Sequence, residues 1–362
     1  MKYRANDEST TMTIDPSRRE RIEVLFDQCS DLPPARRGRF LEVAVAGDAT
    51  LKREVEDLLA SAERADSTGR LERIVAAAFD LPRAPVGKPR PGDHYELLEK
   101  LGSGGMGTVY KATDRQSGQV VALKFLSESL AGDPVLKRRF HREAQAAATL
   151  DHVNIGAIHG VKETDEGQLF IVMPYYDGGT LKSTIARGPL PIADAVACAA
   201  QVADGLAHAH AAGVIHRDIK PANLMFAGDG RLKILDFGIA KVAGEKLTRT
   251  GLVLGTLAYM SPEQAKGGTL DHRTDLWALG VVFHEMLTGR PPFSAPSIER
   301  LFQAVRHDDP PKIRSLRPEV SNEIEAVVDR LLQKEPERRY ADAASAAAAL
   351  RRNLSRGFAV KP

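Results

Sequence analysis

Residues 101–111 read LGSGGMGTVYK and contain three glycines, Gly102, Gly104 and Gly107, in the pattern G-x-G-x-x-G. Because glycine has no side chain, a loop with this spacing lets the backbone lie close against a phosphate group. The pattern alone allows two ligands, the pyrophosphate of a dinucleotide or the triphosphate of ATP. The residues that follow the loop separate these two possibilities.

The segment after the last glycine alternates like a strand. Gly107 is followed by Thr-Val-Tyr-Lys-Ala, whereas a dinucleotide-binding loop leads directly into a helix that holds the pyrophosphate. Such a loop also requires an acidic residue about 20 residues later, and the sequence offers Lys124 in the run VALK instead. A P-loop is excluded because no G-K-[ST] follows. The glycines are therefore predicted to lie in a β-hairpin, with Lys124 nearby as a phosphate ligand.

With these two motifs, the chain resembles the bacterial members of the eukaryotic-like serine/threonine protein kinase family. The resemblance covers about residues 95–352 and implies a glycine loop folded over ATP, with Met173 as the gatekeeper residue. Pro174 stands where the family commonly has glutamate, so the N–H that reads adenine is expected at Tyr176. The residues implied in ATP binding are Leu101, Gly102, Ser103, Gly104, Gly105, Met106, Gly107, Thr108, Val109, Ala122, Lys124, Glu143, Met173 and Tyr176.

A lysine on a strand becomes a credible phosphate ligand when a carboxylate orients it. Glu143, in the helical segment RRFHREAQAAATLDHVNI, matches the glutamate of the family's third helix, which pairs with the strand lysine. Glu128 is a rival nearby, but it lies in a loop-like stretch. The sequence favours Glu143 as the partner of Lys124.

The run HRDIKPAN, from His216 to Asn223, matches H-R-D-x-x-x-x-N without a gap. The resemblance implies that Asp218 orients or accepts the proton of the attacking hydroxyl. It also implies that Lys220 neutralises the γ-phosphate, which favours serine or threonine acceptors. Asn223 and Asp236, the latter in Asp-Phe-Gly, are implied ligands of Mg²⁺, with Mn²⁺ as an alternative metal.

A further group is implied to support the site. Glu263, in the run SPE, is expected to pair with Arg339, and Asp275 to bind the backbone beside His216. Phe237 is expected to dock under the helix that carries Glu143. The group comprises His216, Arg217, Phe237, Thr256, Glu263, Asp275 and Arg339.

Two further histidines, His208 and His210 in LAHAHAAG, are interpreted as helix-packing residues. A zinc site is the alternative, but no cysteine ligand is close to them in the sequence.

The segment between Asp236 and Glu263 carries candidate phosphorylation sites. Thr248 and Thr250 lie in LTRTG, where bacterial relatives carry autophosphorylated threonines, and Arg217 is the family's receiver of such a phosphate. We therefore predict phosphorylation at Thr248, Thr250 or both, with a homodimer as the arrangement for trans-autophosphorylation. The rival interpretation is that both are polar loop residues.

These residues require a scaffold of two lobes. Residues 95–124 are rich in β-branched residues, and the pattern from about residue 189 onward is mostly helical, which predicts an α+β fold. We predict a disordered N-terminus (1–15), a helical region of about four short helices (16–80), a proline-rich linker (81–93), a β-rich N-lobe (94–176), an α-rich C-lobe (177–355) and a tail (356–362). The helical region is either a small packed bundle or a regulatory, partner-binding module.

Composition limits the other classes of function. A net charge of +2 gives no electrostatic case for nucleic acid, and two distant cysteines do not predict a disulfide framework. The N-terminus lacks a secretory signal, and no apolar run reaches the roughly 18 residues of a membrane helix. A cytoplasmic location is expected, for either a complete soluble protein or a fragment of a longer chain. The rival functions are a nucleotide-binding scaffold and a small-molecule phosphotransferase.

Overall fold

The computed structural model describes residues 25, 29, 34–45, 48–65, 91–104, 107–126, 134–237, 257–295 and 297–355. The predicted N-terminus (1–15), the tail (356–362) and most of the linker lie outside these residues. Gly105, Met106, Thr248, Thr250 and Thr256 also lie outside them.

The chain divides into two compact units, Met1–Val86 and Gly87–Pro362. The first contains helix α1 (Pro34–Ala44) and helix α2 (Ala49–Ala65). Asp48 caps α2, since its Oδ1 accepts the N–H of Leu51 at 2.9 Å. The buried apolar residues of this unit form a core made of Leu25, Cys29, Leu41, Val45, Leu51, Val55 and Leu59.

The second unit begins with a five-stranded antiparallel sheet, the predicted N-lobe. Its strands are β1 (Tyr95–Gly104), β2 (Gly107–Asp114), β3 (Val120–Leu126), β4 (Gly160–Glu163) and β5 (Leu169–Pro174), in the spatial order β1-β2-β3-β5-β4. Helix α3 (Pro134–Ala148) lies between β3 and β4 in sequence.

The two faces of the sheet follow from the period-two alternation of strand side chains. On β3, Val121, Leu123 and Phe125 join a core on one face. The other face carries Ala122 and Leu126, which pack with Phe140 and Ala144 of α3 in a second core, together with Leu169, Ile171 and Met173 of β5. Lys124 lies two residues after Ala122 on β3, so its side chain points to the same face of the sheet, the face that carries α3.

The rest of the second unit is mostly helical. The helix Arg273–Thr288 has a continuous apolar stretch at residues 276–283 and is buried along nearly its whole length. The helices are α4 (Leu181–Ile185), α5 (Ile192–Ala211), α6 (Pro262–Ala265), α7 (Arg273–Thr288), α8 (Ile298–His307), α9 (Ile313–Leu316), α10 (Asn322–Leu331) and α11 (Ala343–Ser355), with a hairpin of β6 (Leu224–Phe226) and β7 (Leu232–Ile234). The predicted two-lobed α+β fold is confirmed.

Among the described residues, no helix combines the length and the apolar character needed to cross a membrane.

Candidate active site

Strand register gathers the implied adenine-binding residues on one face of the sheet. Val109 lies opposite Lys124, and Ala122 lies opposite Met173. Directly opposed residues of antiparallel strands point to the same side, so these four side chains share the face toward α3. Tyr176 follows β5 in the segment that connects the sheet to the helical lobe.

The structure requires glycine at one position of the loop but not at another. Gly107 has φ +138°, and a Cβ built there would lie 1.8 Å from the carbonyl oxygen of Phe125 on β3. No side chain fits at this close approach of two strands. A Cβ at Gly102 meets no atom within 4 Å. Packing therefore requires Gly107, whereas nothing in the described protein restricts Gly102.

Lys124 is buried and forms an ion pair, although not with the predicted partner. Its Nζ lies 2.7 Å from Oδ2 of Asp236. Among the described residues, this is the carboxylate that Lys124 pairs with, rather than that of Glu143. Burial would raise the pKa of Asp236, but the charge and the hydrogen bond of Lys124 outweigh it, so the pKa is lowered. Asp236 is thus held as a carboxylate.

The predicted catalytic residues converge on one carboxylate. Lys220 Nζ lies 2.9 Å from Oδ2 of Asp218. Asn223, at the end of a single 3-10 turn that begins at Pro221, donates from Nδ2 to Oδ2 of Asp218 at 3.0 Å and to its backbone oxygen at 2.8 Å. The short turn brings the amide of Asn223 back onto Asp218.

Asp275, fully buried near the start of α7, holds this segment in place. Its Oδ2 accepts the backbone N–H of His216 at 2.8 Å, and its Oδ1 accepts that of Arg217 at 2.7 Å. Arg217 has φ +69°, an uncommon conformation for a residue with a side chain. A carboxylate with two backbone donors can maintain such a backbone, because each bond to a charged acceptor is strong.

The sequence interpretation missed one contact of Asp275. Nε2 of His210 lies 2.8 Å from Oδ2 of Asp275, so His210 helps to hold this carboxylate in place in addition to packing in α5. No local signal predicts this contact, since the two residues are far apart in sequence. The described residues hold no cluster of three metal-ligating side chains.

The ring of His216 joins the catalytic segment to the Asp-Phe-Gly segment. Its Nδ1 accepts the N–H of Asp218 at 3.2 Å, which leaves Nε2 to donate to the carbonyl oxygen of Leu235 at 2.8 Å. The ring also packs edge-on against Phe237, with centroids 4.7 Å apart. His216 therefore has a structural role, because both ring nitrogens are engaged with the backbone.

Glu263 and Arg339 form a two-pronged ion pair, with distances of 2.7 and 2.8 Å. Arg339 is buried and also donates to three backbone carbonyls, those of Arg273, Gln333 and Lys334. Burial would raise the pKa of Glu263, but the hydrogen bonds and the charge of Arg339 outweigh it, and the pKa is lowered.

Gln264, the next residue, was also missed by the sequence interpretation. It forms a capping box with Ser261 at the start of α6, and its Nε2 donates to the carbonyl oxygen of Arg217 at 2.9 Å. The S-x-x-Q pattern at residues 261–264 was a readable signal for the cap, although not for the contact with Arg217.

Comparison with known proteins identifies the architecture. The family model described as "Protein kinase domain" matches residues 95–352. The crystal structure of the Mycobacterium tuberculosis PknI kinase domain has a TM-score of 0.58 and 31% identity, covering 72% of this chain and 96% of that one.

Curated relatives agree with this match. Serine/threonine-protein kinase PknB of Mycobacterium leprae is 44% identical over 264 residues, which cover 71% of this chain and 42% of the relative. Serine/threonine-protein kinase PrkC of Bacillus subtilis is 40% identical over 257 residues, covering 70% of this chain and 39% of the relative. The chain thus spans less than half the length of these relatives.

Proposed function

This chain belongs to the protein kinase family, and we propose that it transfers the γ-phosphate of ATP to serine and threonine hydroxyls of protein substrates. The observation that carries the proposal is the arrangement around Asp218, whose carboxylate lies 2.9 Å from Lys220 Nζ and 3.0 Å from Asn223 Nδ2. Phosphoryl transfer depends on positioning and on neutralised charge, and this cluster offers a base, a cation and an amide together.

Asp218 is the group that orients the attacking hydroxyl and accepts its proton. Its contacts with Lys220 and Asn223 fix the position of the carboxylate, so that a hydroxyl placed beside it can pass its proton to the free oxygen. Lys220 supplies a positive charge for the transferring phosphoryl group, as it does in the serine/threonine-specific members that the chain resembles.

The oxygen donors of the site fit a hard divalent cation. Asp236 is held ionised beside Lys124, and Asn223 uses its amide nitrogen on Asp218, which leaves its side-chain oxygen for another partner. We propose that Asp236 and Asn223 hold Mg²⁺, or Mn²⁺ in its place, which supplies charge neutralisation for the phosphates.

The adenine ring would lie against Val109, Ala122 and Met173 on the face of the sheet that carries α3. Pro174 has no N–H, but the family resemblance places the donor to adenine two residues on, at the backbone of Tyr176, so the proline leaves this contact intact. Lys124 binds the α- and β-phosphates in this proposal, which requires it to leave Asp236. Glu143 remains the proposed partner of Lys124 in the nucleotide-bound state.

Activation by phosphorylation is part of the proposal. Nε of Arg217 is buried and has no hydrogen-bond partner among the described residues. A buried cationic donor without a partner is costly, and a bound phosphate group would satisfy it. Thr248 and Thr250 remain the proposed phosphorylation sites. The homodimer for trans-autophosphorylation and the cytoplasmic location stay predictions.

The test is transfer of labelled γ-phosphate from ATP to the chain itself and to a generic basic protein. Wild type should label both, and Asp218→Asn should lower the rate by about 10²–10⁴-fold at an unchanged melting temperature. Asp229→Asn is the matched control, since Asp229 is an exposed carboxylate on the turn between β6 and β7.

Equal labelling by wild type and Asp218→Asn would refute the assignment of Asp218. No labelling by wild type with either metal, together with retained nucleotide binding, would favour the nucleotide-binding scaffold over the kinase.

A further inference from the structure

One row of side chains crosses four strands on the face of the sheet that carries the proposed adenine site. Strand register places Glu99 of β1 opposite Lys111 of β2, Lys111 opposite Ala122 of β3, and Ala122 opposite Met173 of β5. Opposed residues share a face. Lys111 is therefore on the same side as Ala122 and Met173, the proposed adenine contacts.

Lys111 has two partners at this position. Its Nζ lies 4.6 Å from the ring centroid of Tyr175, within the range of a cation–π contact. The same nitrogen lies 3.4 Å from Oε1 of Glu99. Tyr175 directly follows Pro174, the last residue of β5, so it belongs to the segment that connects the two lobes.

These contacts contribute little to folding. The side chain of Glu99 is 62% exposed and that of Lys111 27% exposed, and ion pairs so open to water stabilise proteins weakly. Their effect is on position. They join the hairpin of β1 and β2, which carries the glycine loop, to the connecting segment, and so hold these two sides of the proposed adenine site together.

We propose that Glu99, Lys111 and Tyr175 form a clasp that positions the glycine hairpin over the adenine ring. The clasp rests on the proposed function, since it concerns the nucleotide of that same site. Its residues are positioning residues and take no part in phosphoryl transfer. Opening the clasp lets the hairpin move away from the connecting segment, which weakens nucleotide binding without changing the residues around Asp218.

The experiment measures the binding of ATP and of adenosine to the full chain by calorimetry, and then KM and kcat for phosphate transfer. Lys111→Met and Tyr175→Leu should each raise the dissociation constants of both ligands about three- to tenfold. The KM for ATP should rise by a similar factor, with kcat within about twofold of wild type and the melting temperature unchanged. Lys111→Arg and Tyr175→Phe should bind like wild type, because they keep the cation and the ring.

Arg115→Met is the matched control. It removes another exposed ion pair of the same hairpin, with Glu96, at the end away from the glycine loop. Its binding constants should equal those of wild type.

Three outcomes would overturn the clasp. Unchanged binding in both Lys111→Met and Tyr175→Leu would do so, as would an equal loss in Arg115→Met. A loss for ATP without a loss for adenosine would mean that Lys111 acts on the phosphates through its charge. Failure of the proposed function is distinguishable, because it appears as absent phosphate transfer in wild type whatever the binding constants are.

Discussion

The proposed catalytic segment, residues 216–223, and the glycine hairpin of β1 and β2 both contribute to the proposed ATP site, yet they are held in opposite ways. The segment is fixed by buried groups, since Asp275 accepts two of its backbone N–H groups and His216 joins it to Leu235. The hairpin has β1 as an edge strand with two register shifts. Its outer contacts are exposed ion pairs and the clasp.

This difference separates the two tasks of a phosphotransferase. Groups that stabilise a developing charge work best when they are preorganised, and the residues around Asp218 already contact one another. Groups that admit and release a nucleotide must move. Lys124 is a group of the second kind. It is paired with Asp236 rather than with Glu143, so it must leave Asp236 in order to bind the phosphates as proposed.

The largest effect is expected from removing the anchor of the rigid region. Asp275→Ala should lower the free energy of unfolding by about 3–5 kcal/mol, because buried donors and His210 lose their acceptor. Activity should fall at least about 100-fold, since the catalytic segment loses its position. Urea denaturation and phosphate transfer, measured on the same preparations, would test both effects.

The control for Asp275→Ala is Asp271→Asn, an exposed carboxylate just before the same helix. It should change the stability by less than about 1 kcal/mol. Comparable losses in the two variants would contradict a special role for Asp275.

A smaller effect on stability is expected within the hairpin, where substitutions of Gly107 and Gly102 should have different costs. Gly107→Ala should cost roughly 2–5 kcal/mol, since the new Cβ meets the Phe125 carbonyl and φ is unfavourable. Gly102→Ala should stay within about 0.5 kcal/mol of wild type and affect only the KM for ATP. Thermal unfolding of both proteins gives the comparison.

Gly188→Ala isolates the backbone contribution, because Gly188 has φ +133°, close to that of Gly107, and no atom within 4 Å of its Cβ position. It should cost about 1–3 kcal/mol. If Gly107→Ala cost no more than Gly188→Ala, the close approach to Phe125 would not be the reason for Gly107.

A smaller effect on stability than that of Asp275→Ala is expected for Asp236→Asn. Lys124 has a flexible side chain and can turn to another carboxylate when Asp236 is replaced. The backbone N–H groups bound to Asp275 are fixed and cannot find another acceptor. Because the pKa of Asp236 is lowered in the folded state, its contribution is present above the unfolded-state value and is lost as pH falls through the lowered one. The difference in urea midpoint between wild type and Asp236→Asn should therefore be present at neutral pH and vanish in acid. A difference that grows as pH falls would contradict this.

Much of the fold and of the site was predictable, for reasons that differ between residues. Lys124, Asp218, Asn223 and Asp236 could be singled out because they stand in short motifs that match the family, and the structure shows the pair of Lys124 with Asp236 and of Asn223 with Asp218. The two lobes followed from the change between strand and helix periodicity. The Glu263–Arg339 pair was expected from the family resemblance alone.

Other features depend on contacts that no local pattern encodes. His210 reaches Asp275, and Lys111 reaches Tyr175, only after the chain has folded. The requirement for Gly107 comes from the neighbouring strand. The sequence interpretation weighed Glu143 and Glu128 as partners of Lys124 and did not consider Asp236, which contacts the lysine in the folded chain.

The most direct test is a crystal structure of the chain with Mg²⁺ and a non-hydrolysable ATP analogue. We predict that the contacts of Asp275 with residues 216 and 217 keep their lengths of 2.8 and 2.7 Å. We also predict that Lys124 leaves Asp236, contacts the phosphates and pairs with Glu143. A nucleotide-bound structure that retains the 2.7 Å pair of Lys124 and Asp236, or in which Asp275 no longer contacts residues 216 and 217, would contradict the account.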